Sequence, residues 1–211
     1  MIGEALAILA ALCWATSPII YRKALVGVDL LVANLMRAVP ATVLLVLFYF
    51  GSGGLQAVLA IDSPSLILIG VSVVSGQVLG DFLLFSSIME IGASRSSAIF
   101  STHPLFSMLL AFALLRETPA WTVLLGGFAI VIGLWLINLS INSQLKAESI
   151  SLHVSILKAL LGASLWGFTT FILKVVVREI DPLETITLRM MMLTVMLLLM
   201  VAVGGKMAML R

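Results

Sequence analysis

The sequence predicts an all-α polytopic membrane protein with about seven transmembrane helices. Three observations lead there. Of the 211 residues, 62% are hydrophobic and 10% charged, with a mean hydropathy of +1.23. Soluble domains carry about 25% charge, and a soluble core of this size would leave much of that apolar surface in water, so the solvent must be lipid. Seven apolar stretches approach the roughly 20 residues a bilayer crossing needs: 5–22, 30–50, 64–89, 94–115, 119–140, 154–177 and 182–203. Finally, helix-start signals head several of these stretches and no period-two alternation occurs, which favours helices that satisfy their own backbone over a barrel.

The first stretch, in "MIGEALAIL", carries Glu4 and lacks a basic region before its apolar part, so it reads as a span and not as a cleaved signal. Three later spans open on an N-cap residue followed by proline at the first helical position: Ser63-Pro64, Thr118-Pro119 and Asp181-Pro182. Asp181-Pro-Leu-Glu184 also has the spacing of a capping box. The linkers are short, which makes neighbouring helices antiparallel. The longest polar run, "NSQLKAESISLH" at 142–153, marks the boundary between two halves.

Net charge is +2 and the basic residues are scattered, which excludes a nucleic-acid partner. Cys13, the one cysteine, cannot form an intramolecular disulfide and reads as a small packing residue. His103 and His153 do not share a face and have no acid or cysteine at ligand spacing, so neither a metal nor a cofactor is expected.

The halves match at a single gapless offset. Trp14 and Trp166 are 152 residues apart, as are Asp29 and Asp181, and Arg37 and Arg189. Tryptophan is rare here, four in all, and arginine inside an apolar span is rarer. Span one and span six begin the two copies and five helices separate their starts. Five is odd, so the second copy enters the membrane from the opposite face, the inverted-topology plan of many secondary transporters. The expected units are residues 1–141, a five-helix repeat, and 154–211, the first two helices of a second. By this arithmetic residue 211 corresponds to residue 59, so the expectation is a fragment, a truncated reading frame, or a chain completed by a second copy of itself or by another chain.

These residues resemble the drug/metabolite transporter superfamily, specifically its EamA-type members with ten helices in two five-helix repeats. "ALAILAALCWATSPIIYRKAL" is similar to the first helix of such a repeat. "GASRSSAIFSTHPLFSMLLAFALLRETPAWTVLLGGFAIVIGLWL" is similar to its fourth and fifth, with Pro104 mid-helix, Glu117 after the fourth helix, and Gly126 and Gly133 in the fifth. "LLGASLWGFTTFILK" and "DPLETITLR" carry the likeness into the second repeat. Two departures stand out: Arg116, not glycine, precedes Glu117, and repeat two is short of its later helices. The resemblance implies a cell-membrane secondary transporter, an exporter of a small metabolite or amino acid working by alternating access without nucleotide. It also implies a cytoplasmic N-terminus, which is the orientation taken here. Loop charge argues the reverse, with Arg116, Lys174 and Arg178 on the N-terminal side against Arg22, Lys23, Arg95, Lys146, Lys158, Lys206 and Arg211 opposite.

Candidate substrate-binding residues are Trp14, Gln77, Asp81, Ser101, His103 and Trp166; Arg37, Arg189, Pro104 and Glu117 are candidates for structural or gating roles. Arg37 and Arg189 lie about 12 Å inside their helix starts. Each either faces a polar cavity and an anionic substrate group, or snorkels to the headgroups or pairs with a carboxylate. Gln77 and Asp81 share a helix face, and Gly76 and Gly80 form a GxxxG beside them. Asp81 is the deepest carboxylate; it either couples transport to protons or bridges to Arg37 or Arg95. Pro104 frees the carbonyl of Phe100, and Ser97, Ser101 and Pro104 fall on related turns. His103 either binds substrate or bonds a local backbone group. Trp14 and Trp166 lie deeper than interfacial belts and either stack on substrate or pack helices; Trp121 reads as an interface anchor. Glu117 stands where the fifth helix's dipole favours an anion.

Other classes fare worse. There is no GxxxxGK[ST], so an ATP-driven pump is disfavoured, and no H-E-x-x-H, G-x-S-x-G or intramembrane aspartate pair supports an enzyme. A non-transporting subunit that needs a partner chain is the alternative.

Overall fold

A computed structural model describes residues 2–51, 54, 58, 61–142 and 149–210. Half of the proposed boundary run at 142–153, residues 143–148, therefore lies outside the described residues. Among those described there are seven long helices and no strand: α1 (Ile2–Ala24), α2 (Leu30–Gly51), α3 (Ser63–Ile91), α4 (Ala93–Leu115), α5 (Trp121–Asn142), α6 (Ser149–Val176) and α7 (Pro182–Val203). Their positions agree with the seven apolar stretches.

Three helix starts follow local chemistry. Asp181 caps α7 by accepting from the amides of Leu183 (2.8 Å) and Glu184 (3.4 Å). Asp29 does the same at the head of α2, accepting from Leu31 (3.0 Å) and Val32 (3.4 Å). Glu184 does not complete a capping box: it is buried and turned to the Tyr49 hydroxyl. For α3 the cap is Asp62, which accepts from the Ser65 amide at 3.3 Å, and not Ser63, because its carboxylate is the better acceptor and leaves Pro64 inside the first turn. Thr118-Pro119 likewise does not start α5. The helix begins at Trp121, and Ala120 supplies the first accepting carbonyls.

Two spans are irregular, α3 where the sequence predicted a plain helix and α4 at the proline expected to interrupt it. α3 passes through a π-helical stretch at Val73–Gly80. Neighbouring side chains hydrogen-bond carbonyls there: Thr169 donates to Ser72 (3.1 Å) and Asn34 to Gln77 (2.8 Å). This is how non-ideal backbone survives at membrane depth. α4 breaks at Ser101–Thr102 into Ala93–Phe100 and His103–Leu115. Pro104, without an amide proton, cannot continue the ladder. The turn from α3 to α4 passes through Gly92 at φ 90°, a conformation that favours glycine.

α3, α6 and α7 form the interior. α2 packs along α7 around Val32, Leu35, Leu193, Leu197 and Val201, and the second half of α4 packs along α6. α1 is peripheral, touching only the second half of α3 and the first half of α4 with more than isolated contacts, and its apolar side chains are broadly exposed, as expected toward lipid. The α3–α6 approach depends on the expected GxxxG. A Cβ on Gly76 would stand 2.6 Å from the Thr169 hydroxyl, and one on Gly80 2.7 Å from the Trp166 ring.

Residues at the 152 offset meet across the bundle. Trp14 and Trp166 are in edge-to-face contact with centroids 5.8 Å apart. Thr42 and Thr194, a fourth pair at that spacing, hydrogen-bond at 2.7 Å where α2 crosses α7.

The packing predicts that Gly76→Val drives α3 from α6 and costs about 1–3 kcal/mol by overpacking. Gly126→Ala, with nothing within 4 Å of the new methyl, is expected to be neutral or stabilising by up to about 1 kcal/mol. Thermal midpoints of the purified protein in detergent check both; equal midpoints would discard the close-approach account.

Candidate functional site

The irregular segments of α3 and α4 face one cavity of about 530 Å³. α1 contributes Trp14, Ser17, Pro18 and Tyr21, a stripe at helical spacing, and α2 contributes Arg37. Gln77, Asp81, Leu84 and Phe85 come from α3, and Ser97, Phe100, Ser101 and His103 from α4. Trp166 of α6 and Ile186, Arg189 and Met190 of α7 complete most of the wall. All six residues expected to bind substrate are thus together, and both arginines join them. Pro104 is not in the wall; it sits behind, at the break that turns His103 and Ser101 inward. Glu117 lies away from the cavity, beyond the end of α4.

Asp81, 3% exposed, is the centre of the polar wall. Its partner is Arg37, through Nη2, and not Arg95. The same Nη2 donates to Asn34 Oδ1 at 2.6 Å, while Trp166 Nε1 donates to the other Asp81 oxygen at 2.9 Å. One chain of hydrogen bonds therefore ties α2, α3 and α6. Arg37 also lies 5.6 Å from the centroid of Phe85, a cation–π contact. Neither arginine snorkels: Arg37 is held by Asp81, and Arg189 is only 5% exposed, turned into the bundle.

The rest of the wall mixes aromatic and small polar groups. Phe100 lies edge-on to Trp166 at 6.2 Å and tilted against His103 at 5.6 Å. His103 Nδ1 stands 3.2 Å from the Phe100 carbonyl that Pro104 releases, as an Nδ1–H tautomer would place it. The local backbone partner expected for this histidine is therefore present, in a side chain that also lines the cavity. Ser101 donates to the Ser97 carbonyl at 2.8 Å. Buried side-chain atoms with no hydrogen-bond partner among the described residues are Arg37 Nε, Gln77 Oε1, Ser97 Oγ, and Nε and Nη2 of Arg189.

Sequence reasoning missed Asn34, Tyr21, Phe85 and Phe100 from this site. Tyr21 continues the helical stripe of Trp14 and Ser17 and could have been found by it. Asn34 lies one turn before Arg37, a spacing that signals a side-chain pair. Phe85 and Phe100 carry no such mark in a chain rich in apolar residues.

Ion pairs tie helices outside the cavity. Glu117 accepts from Lys174 and from Arg178 (2.6 Å), joining the α4–α5 connection to the end of α6. Hydrogen bonding from Lys174 foremost, then Arg178, holds its carboxyl below the ordinary glutamate value. These partners, and not the α5 dipole, account for it, since α5 starts four residues later. At the opposite face Glu90 pairs with Lys158 and accepts from Ser155 at 2.5 Å, tying α3 to α6. Lys206 donates to Asp29 at 2.5 Å. Partial burial raises the Asp29 carboxyl, but the hydrogen bonds from Lys206, Leu31 and Val32 outweigh this and hold it below the usual aspartate value.

Comparison with known proteins places this architecture. A model of the EamA-like transporter family matches residues 1–139. An uncharacterized transporter of Archaeoglobus fulgidus is 26% identical over 161 residues, which cover 75% of this chain and 55% of that protein. The chain thus spans about half the length of the curated relative it matches. No solved structure matches it. With its apolar helices this is a multi-pass membrane protein, and the chain belongs to the EamA-like transporter family.

Proposed function

We propose that the chain is the working part of a secondary transporter that carries a small metabolite or amino acid across the cell membrane by alternating access, in the outward direction. The observation that carries this is the cavity itself, a space of metabolite size inside the bundle with three formally charged groups borne on the spans, Arg37, Asp81 and Arg189, on its wall. Family membership supports it. So does the pairing of α1–α2 with α6–α7 at one offset: matched aspartate caps, touching tryptophans and hydrogen-bonded threonines are what two copies of one unit related by an axis in the membrane plane would produce. In this reading residues 1–141 form one repeat and 154–211 belong to the second.

The substrate would lie against Trp14 and Trp166, with Gln77, Ser101 and His103 as polar contacts and Asp81 as the group that links binding to a proton or to the arginines. The cavity wall reaches from Arg189, two turns into α7, to Tyr21 and Ser97, each about one turn from the helix ends at the other face. That one-sided reach fits a single access state. The Glu117–Lys174–Arg178 cluster on one face and Glu90–Lys158 on the other would be the latches that exchange.

Uptake of radiolabelled amino acids and short organic acids into liposomes holding the purified chain tests transport. A saturable flux for at least one solute is expected; none across the panel counts against the chain as a transporter in its own right. Asp81→Asn is expected to lower that flux at least about tenfold and remove its dependence on a proton gradient, while unchanged pH dependence would end the coupling role. The same change strands Arg37, so the thermal midpoint should fall, and Arg37→Gln with Asp81→Asn should recover much of it.

The latch gives a further expectation. Because Glu117 is held below its ordinary value of 4.5, its pairs are intact above that value and are lost as pH falls through the lowered one. In a Cys13→Ser background, a Thr118→Cys thiol should be labelled by a membrane-impermeant maleimide several-fold faster when Glu117→Gln is added. The ratio of the two rates should stay constant from about pH 8 to 5; a ratio near one would remove Glu117 as a latch.

A further inference from the structure

The two arginines at the 152 offset are equivalent in sequence and opposite in circumstance. Arg37 is engaged through Nη2, which meets both Asp81 and Asn34, although its Nε is without a partner among the described residues. Arg189 is not so engaged. The residue one turn before it, matching Asn34, is Ile186, which offers no acceptor. Asp81 already receives Arg37 and Trp166 and acts on Arg189 only at longer range. Arg189 is 95% buried by its 5% exposure, lines the cavity, and leaves Nε and Nη2 without a partner. Those two nitrogens form one edge of the guanidinium plane, the edge that grips a carboxylate through two parallel hydrogen bonds.

Charge balance points the same way. The formally charged residues of the wall are Arg37, Asp81 and Arg189, two positive and one negative, a formal excess of one positive charge. An uncompensated charge in a membrane interior is expensive, and a partner of opposite sign relieves it. Gln77 Oε1, also buried and unpaired, adds an acceptor for one N–H or O–H. Trp14, Trp166 and Phe100 offer apolar faces.

We infer that Arg189 is the substrate-anchoring residue, and that the solute is a monoanion whose carboxylate docks side-on against Nε and Nη2 while its apolar body rests on the Trp14–Trp166 pair. This rests on the transporter reading of the cavity and narrows it to one substrate class. Arg37 holds the bundle together and Arg189, its counterpart, holds the cargo.

Binding can be read without transport, through quenching of tryptophan fluorescence in the purified chain. The probes are 3-phenylpropionate, its neutral amide and the matching 3-phenylpropylamine. The acid is expected to quench saturably and to bind at least about tenfold more tightly than either analogue, since a charge-assisted bidentate contact is lost in both. Arg189→Gln should abolish that preference, and Arg189→Lys, which keeps charge but not the fork, should retain only part of it. Equal binding of acid and amide by the unaltered chain overturns the proposal whatever the variants do, as does an unchanged preference in a folded Arg189→Gln protein. An acidic lipid headgroup is the other source of an anion, so the titration is run in nanodiscs of phosphatidylcholine and of phosphatidylglycerol. If acid binding is lost in phosphatidylglycerol, and the lipid retained through mass spectrometry of the unaltered protein is lost in Arg189→Gln, the edge belongs to lipid and the proposal falls. Selective binding without liposome flux would sink the transport reading alone; flux without charge selectivity would sink this inference alone.

Discussion

A carboxylate buried in lipid has few tolerable situations, and much of this bundle can be understood as providing one for Asp81. Its charge requires a cation at contact distance, which fixes Arg37 and so the rotation of α2. Its second oxygen requires a donor, which fixes Trp166 and so the rotation of α6. The second contact requires α6 to come close to α3, and the small residues at 76 and 80 permit that. The Asn34 bridge then ties the same guanidinium to the α3 backbone, where the helix has widened and a carbonyl needs a partner. Removing hydrophobic driving force from helix association, as lipid does, leaves such contacts and close packing to decide which faces meet.

The offset that relates the two ends of the chain is a relation of sequence with local consequences. At helix starts it produces the same cap twice with nearly the same two distances. Where related helices cross, it brings like to like, tryptophan on tryptophan and threonine on threonine. Deeper in the cavity the likeness stops. The two arginines keep one position in their helices but differ in neighbours: Arg37 meets Asp81 and Asn34 through Nη2, while Nε and Nη2 of Arg189 have no partner among the described residues.

Legibility tracked the range of the forces involved. Span positions were readable because lipid imposes length and apolarity on each helix separately. The Asp181 cap was readable because a cap is settled within four residues. The α3 and α5 starts were misplaced because Asp62, the true cap, and the non-helical run through Ala120 stood just outside the expected motif. The cavity residues were found because polar groups are rare enough in such a chain to be conspicuous. Their pairing was legible only as alternatives, Arg37 or Arg95 for Asp81 and a backbone group or substrate for His103, because three-dimensional neighbours decide who is satisfied. The aromatic residues Phe85 and Phe100 were invisible for the reverse reason, being ordinary in composition and special only in place.

The widened stretch at Val73–Gly80 has a consequence for how this protein is compared with others. A π turn accommodates roughly one residue more than the α-helical turn it replaces, so the Val73–Gly80 stretch holds about one residue beyond a plain helix of the same rise. A relative whose third helix lacks that residue will align with this one, without a gap, on only one side of the interruption. Past it, the residue written beneath Asp81 will be its neighbour in space by about 100° of helix rotation, so such a column compares two different faces of the helix.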